Sequence, residues 1–487
     1  MGIVLKQSLQ NMASTYLGFA FGAINTVFLY TKILPDAYYG LVTFILASGA
    51  ILMPLMAFGV HNTLVKFYST YSGDAQAGFF TTMLGIPLLG IALVFLILFL
   101  FEDAVANVLA LQNPLVKGYL WHVLWVGVGM AYFEVFFAWS KVQLKSAFGN
   151  LMKEVFGRVG VTVLLLLYYF ETIDLPLFFT FLVSLYLVRT LIMGVYAILL
   201  NPIQWSFRLP DNFKEVMLYS LLIILGGSAA LILLEIDKVM INQFKEIENV
   251  AYYGVAVYIA TVVIVPSRAM HQITYPLTAN LMAEGDSFGL NRLYQKTSLT
   301  LFIVSGIIYV LIMLNLKDFF LLLPETYRDG FLVVFLIGLA KVFDSILGNI
   351  NSILYNSQYY KTILLFGVGL AILTIILNWI LIPLYGIEGA AVASFTAIGI
   401  FNLAKLIFVK VKFGMFPLTA TTFKVFWALL LLAVLFGVFD FGFHPIVNIL
   451  LKSAIVGVMY IGILFRFELS EDVTGYLSRW LKKEETD

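Results

Sequence analysis

Hydrophobic residues in this chain come in long, nearly unbroken runs, not in the alternation of a half-buried strand or the narrow stripe of a soluble amphipathic helix. Fourteen runs lie near residues 12–31, 40–60, 79–101, 117–140, 155–171, 177–200, 215–236, 251–276, 298–316, 330–354, 362–383, 388–409, 420–439 and 446–465. Each approaches the roughly 20 residues a helix needs to cross the hydrocarbon core of a bilayer. The polar segments between them are short, so no loop has room for a soluble catalytic domain. The pattern predicts an all-α polytopic membrane protein of about 14 transmembrane helices. The first run, Met12 to Tyr30, is span-length and lacks a small-residue cleavage site, so it reads as a span and not as a signal peptide.

Composition agrees: 61% of residues are hydrophobic, 12% are charged, and the mean hydropathy is +0.97. A net charge of +1 leaves no basic excess for a nucleic-acid partner. With no cysteine there is no disulfide or thiolate metal site. No metal or cofactor motif stands out, and Gly2 followed by Lys6 lacks the hydroxyl of an N-myristoylation signal. Lys and Arg concentrate on one side when the N-terminus is placed inside, as at Lys141, Lys145, Lys153 and Arg158. The positive-inside rule then puts both termini in the cytoplasm, as an even number of spans requires. Beyond the last run, Phe467, Val473, Leu477, Trp480 and Leu481 are spaced along one helix face. Residues 467–487 therefore read as a cytoplasmic tail, either amphipathic on the inner membrane surface or merely solvated.

The runs also repeat. Ala37-Tyr38-Tyr39-Gly40 recurs as Ala251-Tyr252-Tyr253-Gly254, and Gly73-Asp74 as Gly285-Asp286. Phe133-Glu134 answers Phe343-Asp344, and Arg189 answers Lys405, all at nearly one offset. Six spans separate the copies, so both enter the membrane from the same side, as in a parallel repeat. The expected organisation is an N-lobe over 1–200 (spans one to six), a C-lobe over 201–412 (spans seven to twelve), and an appended pair over 413–466.

Charges inside spans are expensive, about 2.5–3.5 kcal/mol each at a helix centre, so they should avoid lipid and mark function. Arg268 lies too deep for easy snorkelling, behind a Pro266 that should break the helix, with His271 one turn on. Arg189 sits mid-span, and Glu134 is deep enough to be its structural partner. Lys341 and Asp344, three residues apart, can neutralise each other along one face. Lys405 is near enough to the inner end to snorkel. Asp237 and Lys238 close the seventh run, where an interfacial role competes with a buried one. The remaining picture is a lumen with basic groups for an anionic ligand and carboxylates for proton or cation coupling.

Two stretches carry a resemblance. Leu234 to Phe244 (LEIDKVMINQF) with Ala251 to Pro266 (AYYGVAVYIATVVIVP), and Asn378 to Phe395 (NWILIPLYGIEGAAVASF), resemble the polysaccharide-transport branch of the multidrug/oligosaccharidyl-lipid/polysaccharide exporter superfamily, the oligosaccharide and O-antigen flippases. The second is the more specific: a helix-ending Asn, a Pro in the turn, then Gly386 and Gly389-Ala390-Ala391 opening a tightly packed helix. The likeness runs from Gln7 to about Lys412. It implies two six-helix lobes around a central cavity in the bacterial cytoplasmic membrane. It further implies an undecaprenyl-diphosphate-linked oligosaccharide, moved from the inner to the outer leaflet by alternating access for surface polysaccharide or lipopolysaccharide synthesis. On this reading Arg268, Arg189, Lys341 and His271 face the diphosphate. Related lipid II flippases have several arginines in spans one and two, whereas this chain has no Arg or Lys inside either. Cation sites in those relatives use an acid in span seven, with which Asp237 aligns, and polar groups in spans eleven and twelve, where Asn378 and Thr396 fall. Glu134 and Asp344 are further candidates for H+ or Na+ coupling.

Two other functions fit the same composition. A cation-coupled drug or metabolite antiporter usually has twelve spans and a buried acid in span one or seven; span one here is uncharged and there is an extra pair. A membrane glycosyltransferase, polymerase or ligase needs a large outer loop or an acidic motif, and Glu171, Asp174 and Asp440 are isolated in short segments.

Overall fold

The computed structural model describes residues 2–224, 228–439 and 441–469. The described residues are mostly helical, with no strand among them. Ten helices are long and apolar enough to cross a membrane, or eleven if the pair Glu325–Ile346 and Ile350–Asn356, bent by 57°, counts as one span. The expected runs are all helical, and the lower number has local causes. Runs 362–383 and 388–409 are joined in one helix, Tyr360–Phe413, kinked at Gly386. Run 155–171 holds a helix of only 13 residues, Gly157–Tyr169, entered through a π-helical turn, Met152–Phe156. Run 215–236 is divided between Phe213–Leu222 and Ser228–Phe244, with 225–227 outside the described residues. The tail beyond Leu469, and Asp440, also lie outside them.

Gly386 has φ 60° and ψ −135°, a combination that side chains reject, so the Pro-Leu-Tyr-Gly segment turns where the sequence places it. Pro266 marks the other expected break. The helix Glu248–Thr261 gives way to a 3₁₀ turn, Val262–Ile264, and restarts at Val265 with Pro266 in its first turn, where a missing N–H costs nothing.

Packing divides the chain into two compact units, residues 1–254 with 364–394, and residues 255–363 with 395–487. In the first unit, Phe79, Phe80 and Met83 interlock with Val135, Ala138 and Trp139, the Phe80 and Trp139 rings stacking at 3.5 Å. The two copies of the repeated tetrapeptide also meet here. Tyr252 donates to Asp36 Oδ2 at 3.0 Å, and any Cβ at Gly40 would overlap the Ile247 carbonyl. In the second unit the appended helices Ala420–Gly437 and Pro445–Arg466 pack on Ser287–Leu321 through Phe302, Leu429, Val456 and Tyr460. The Tyr460 hydroxyl donates to the Ile303 carbonyl at 3.1 Å.

Candidate functional site

The helix Ser228–Phe244 buries Asp237, which is 4% exposed. Its Oδ1 accepts from Asn378 Nδ2 at 2.7 Å, and its Oδ2 from Ser394 Oγ at 2.6 Å and from the Tyr253 hydroxyl. Asn378 is fully buried, and its Oδ1 has no hydrogen-bond partner. A carboxylate, an unpartnered amide oxygen and two hydroxyls make an all-oxygen set of the kind hard cations take. Three donors converge on the carboxylate, one on Oδ1 and two on Oδ2. Asp237 is thus buried, not interfacial, and Asn378 is beside it as the resemblance implies. The hydroxyl comes from Ser394 instead of Thr396, two positions along the same helix. Tyr253 was legible as part of the repeated Ala-Tyr-Tyr-Gly, though not as a ligand of Asp237.

A neutral arrangement of similar residues lies elsewhere in the first unit: Asn25, Thr162 and Tyr39 precede Asp237, Asn378 and Tyr253 by 212, 216 and 214 residues. Asn25 is buried in a π-helical turn, Ile24–Leu29, donates to the Arg158 carbonyl at 2.7 Å and accepts from Thr162 Oγ1 at 2.7 Å. Tyr39 stacks on Tyr30 at 4.6 Å and donates to the Thr26 carbonyl.

The other intramembrane charges differ from expectation in their partners. Glu134 is held by Lys153 at 2.5 Å, not by Arg189. Arg189, 7% exposed, lies over the rings of Phe133 and Tyr186 at 4.3 and 4.7 Å and forms no ion pair among the described residues. In the second unit Lys405 does not snorkel. It is 2% exposed because Asp344 (3.7 Å), Asn351 (3.3 Å) and the Phe401 ring (4.5 Å) surround its ammonium, which makes burial tolerable. His271 lies near this pair electrostatically, and Lys341 is half-buried one turn from Asp344. Arg268 is exposed in its span and makes no ion pair or side-chain hydrogen bond among the described residues.

One buried group escaped the sequence reading. Lys452, inside the last apolar run, is 3.6 Å from Asp318, whose two carboxylate oxygens accept from Asn448 Nδ2 at 3.2 Å. This pair and Lys317 close one side of a cavity of about 1070 Å³ in the second unit. Its other walls are apolar, among them Phe302, Tyr309, Phe335, Phe395, Phe426 and Leu429. A lone Lys in the fourteenth run was the signal available for it.

The solved structure of a lipid II flippase, MurJ, in an inward closed conformation matches 95% of this chain and 100% of its own, with a TM-score of 0.73 at 14% identity. The multidrug transporter DinF-BH matches 86% of this chain and 97% of its own, with a TM-score of 0.57 and 18% identity. A MOP superfamily transporter from Pyrococcus furiosus matches 85% of this chain and 95% of its own, with a TM-score of 0.53 and 11% identity. At such identities these likenesses establish the fold alone, that of a polytopic helical membrane protein. No curated protein sequence matches the chain. The sequence profile of the polysaccharide biosynthesis protein family matches residues 4–282, more than half of the chain, and the chain belongs to that family.

Proposed function

We propose that this protein is a flippase that moves an undecaprenyl-diphosphate-linked oligosaccharide from the inner to the outer leaflet of a bacterial cytoplasmic membrane by alternating access, with both termini in the cytoplasm. The observation that carries the reading is Arg268. A guanidinium in an apolar span, exposed and without an ion pair among the described residues, is costly against hydrocarbon, and this supports its facing a path for an anion. A diphosphate takes charge-assisted, bidentate hydrogen bonds from such a group. His271, three residues on, Lys341 in the same unit, and Arg189 in the first unit add basic character. The apolar cavity of about 1070 Å³ supports a substrate with a polyprenyl tail, and its Lys317 suits the tail's phosphate end.

Asp237, Asn378, Ser394 and Tyr253 form the coupling site for sodium or a proton. Glu134 and Asp344, each already held by a lysine, leave that role to Asp237. A cation-coupled antiporter would use the same Asp237 cluster. The reading as a flippase is preferred because the appended helices, absent from a twelve-span antiporter, wall the apolar cavity through Phe426 and Leu429.

The test is export of surface glycan in a strain lacking the chromosomal copy. Arg268→Ala abolishes export and Arg268→Lys, which keeps charge but not the bidentate fork, retains part of it. Normal glycan with full-length protein in both variants removes Arg268 from the mechanism. Collapsing the sodium and proton gradients separately in vesicles identifies the coupling ion.

A further inference from the structure

Two buried asparagines in the first unit cap each other's helices. Asn113, in the loop between helices Gly73–Leu109 and Leu120–Val142, is 6% exposed, and Asn242, in the last turn of Ser228–Phe244, is fully buried. Asn113 Nδ2 donates to the Asn242 carbonyl at 2.7 Å, to Asn242 Oδ1 at 3.1 Å and to the Lys245 carbonyl at 2.9 Å. Its Oδ1 accepts from the Ile247 N–H at 2.9 Å. Asn242 Nδ2 in turn donates to the Leu109 carbonyl at 2.8 Å. The last carbonyls of a helix have no partner within it, so each asparagine closes a helix from the other half of the sequence. Ile247 extends the contact, because its carbonyl lies against Gly40, and the Tyr252 bond to Asp36 lies beyond it.

The turn after Asn113 does not require an asparagine. Pro324 follows Pro114 by 210 residues, as Phe343 follows Phe133, and Leu323 precedes it where Asn113 precedes Pro114. A six-residue 3₁₀ turn forms at both places, Pro114–Tyr119 and Glu325–Gly330. Asn113 therefore serves the contact with Ser228–Phe244, not its own loop.

Each helix that supplies the Asp237 cluster also reaches this closure. Asp237 and Asn242 share one helix and stand five residues, about 8 Å, apart. Tyr253, which donates to Asp237, directly follows Tyr252, which donates to Asp36. Lys245 Nζ donates at 3.2 Å to the carbonyl of Pro383, in the helix that brings Asn378 and Ser394 to the same carboxylate.

We propose that Asn113 and Asn242 latch this end of the transport path and that the charge on Asp237 sets the latch. While Asp237 is ionised, its three donors hold their helices together and the asparagines stay engaged. A cation taken up at Asp237 competes for the carboxylate, loosens Tyr253, Asn378 and Ser394, and lets the closure part. The latch groups are polar, so water replaces their hydrogen bonds as they separate and little net free energy is lost. Asn113 is thus a positioning residue that touches neither cargo nor ion. The inference rests on the proposed function for the need to open this end, which is the outer one when the N-terminus is cytoplasmic, and for Asp237 as the coupling acid.

The experiment exploits the absence of cysteine from the chain. Ile247, 3% exposed, is covered by the closure, so Ile247→Cys in the detergent-purified full chain reports opening through its rate of reaction with a water-soluble maleimide. In that background Asn113→Ala, which strips donors from two carbonyls and the acceptor from one N–H, speeds labelling about tenfold. Asn242→Ala leaves Asn113 its bonds to the main chain and speeds labelling less, and it carries the test if Asn113→Ala does not fold. Asp237→Asn offers only a neutral acceptor, which holds its donors more weakly, and speeds labelling roughly threefold. Ala138→Cys, in the core beside Trp139, is the control, and its labelling does not change in any of these variants. Wild-type rates in the folded asparagine variants overturn the latch, and so does equal acceleration at Ala138→Cys, which marks general loosening. An unchanged rate in Asp237→Asn overturns its control by that acid. The readout depends on neither cargo nor orientation: flat labelling in a chain that exports glycan sinks the latch alone, and the stated labelling in a chain that exports none sinks the flippase alone.

Discussion

Replacing Asp237 separates a structural carboxylate from an ion site, because two substitutions there have opposite consequences for folding. Asp237→Leu leaves three buried donors, Tyr253, Asn378 and Ser394, without an acceptor. Each orphan costs about 1–3 kcal/mol, so the loss is roughly 3–9 kcal/mol and the protein should not be recovered folded. Asp237→Asn keeps an oxygen for the two hydroxyls and presents an amide nitrogen to Asn378. That donor-to-donor conflict is relieved if the Asn378 amide turns over and offers its Oδ1, which has no partner at present. The unsatisfied atom merely changes from an oxygen to a nitrogen on the same residue, so the net cost is at most about 1 kcal/mol. The neutral amide still cannot bind a proton or balance a cation. In thermal melts of purified protein, an ion at a hundredfold excess over its Kd stabilises the wild type by about 2.7 kcal/mol. The expected result is a melting midpoint that responds to sodium or to pH in the wild type, a folded but unresponsive Asp237→Asn without gradient-driven export, and no folded Asp237→Leu. An ion response that persists in Asp237→Asn, or wild-type melting in Asp237→Leu, refutes the reasoning.

Lys452→Met leaves Asp318 charged and buried and should destabilise by about 3–5 kcal/mol, while adding Asp318→Asn restores most of it; denaturation of the single and double variants checks the pair. Gly386→Ala forces a side chain into a backbone conformation reserved for glycine and should cost on the order of 1–3 kcal/mol, measured as a lower melting midpoint. Asn25→Asp removes the donor to the Arg158 carbonyl and should destabilise by about 1–3 kcal/mol at neutral pH. Its deficit should shrink as pH falls, because a protonated carboxyl regains a donor; a pH series of melts shows whether it does.

Helix positions and breaks were legible because they depend on local chemistry. Run length gives a span, Pro266 gives the restart at Val265, and Pro383 with Gly386 gives the kink inside Tyr360–Phe413. Partnerships were less legible. A soluble helix reveals its buried face through an apolar stripe, but these helices are apolar all round, so their sequence does not say which side meets which neighbour. Hence Arg189 and Glu134 looked like natural partners although Lys153, on the next helix, reaches the carboxylate. Lys405 looked able to snorkel although Asp344 and Asn351 enclose it. Asp237 met Asn378 on the strength of a resemblance, and nothing in the spacing pointed to Ser394.

The Asp237 arrangement and its neutral counterpart at Asn25 show why one carries charge and the other does not. Around Asp237 every neighbour donates: two hydroxyls and an amide nitrogen converge on the carboxylate, and only an acceptor with several lone pairs satisfies them all. Around Asn25 the demands are mixed, since the Arg158 carbonyl needs a donor and the Thr162 hydroxyl needs an acceptor. An amide meets both, and an ionised carboxylate would face a carbonyl. The change from Thr162 to Asn378 and the turn of the tyrosine hydroxyl, from the Thr26 carbonyl to the acid, convert one set of demands into the other. The first copy is therefore a finished neutral contact and not an ion site that lost its acid. On the proposed function, coupling rests on Asp237 and its three donors, and a driving gradient acts through them.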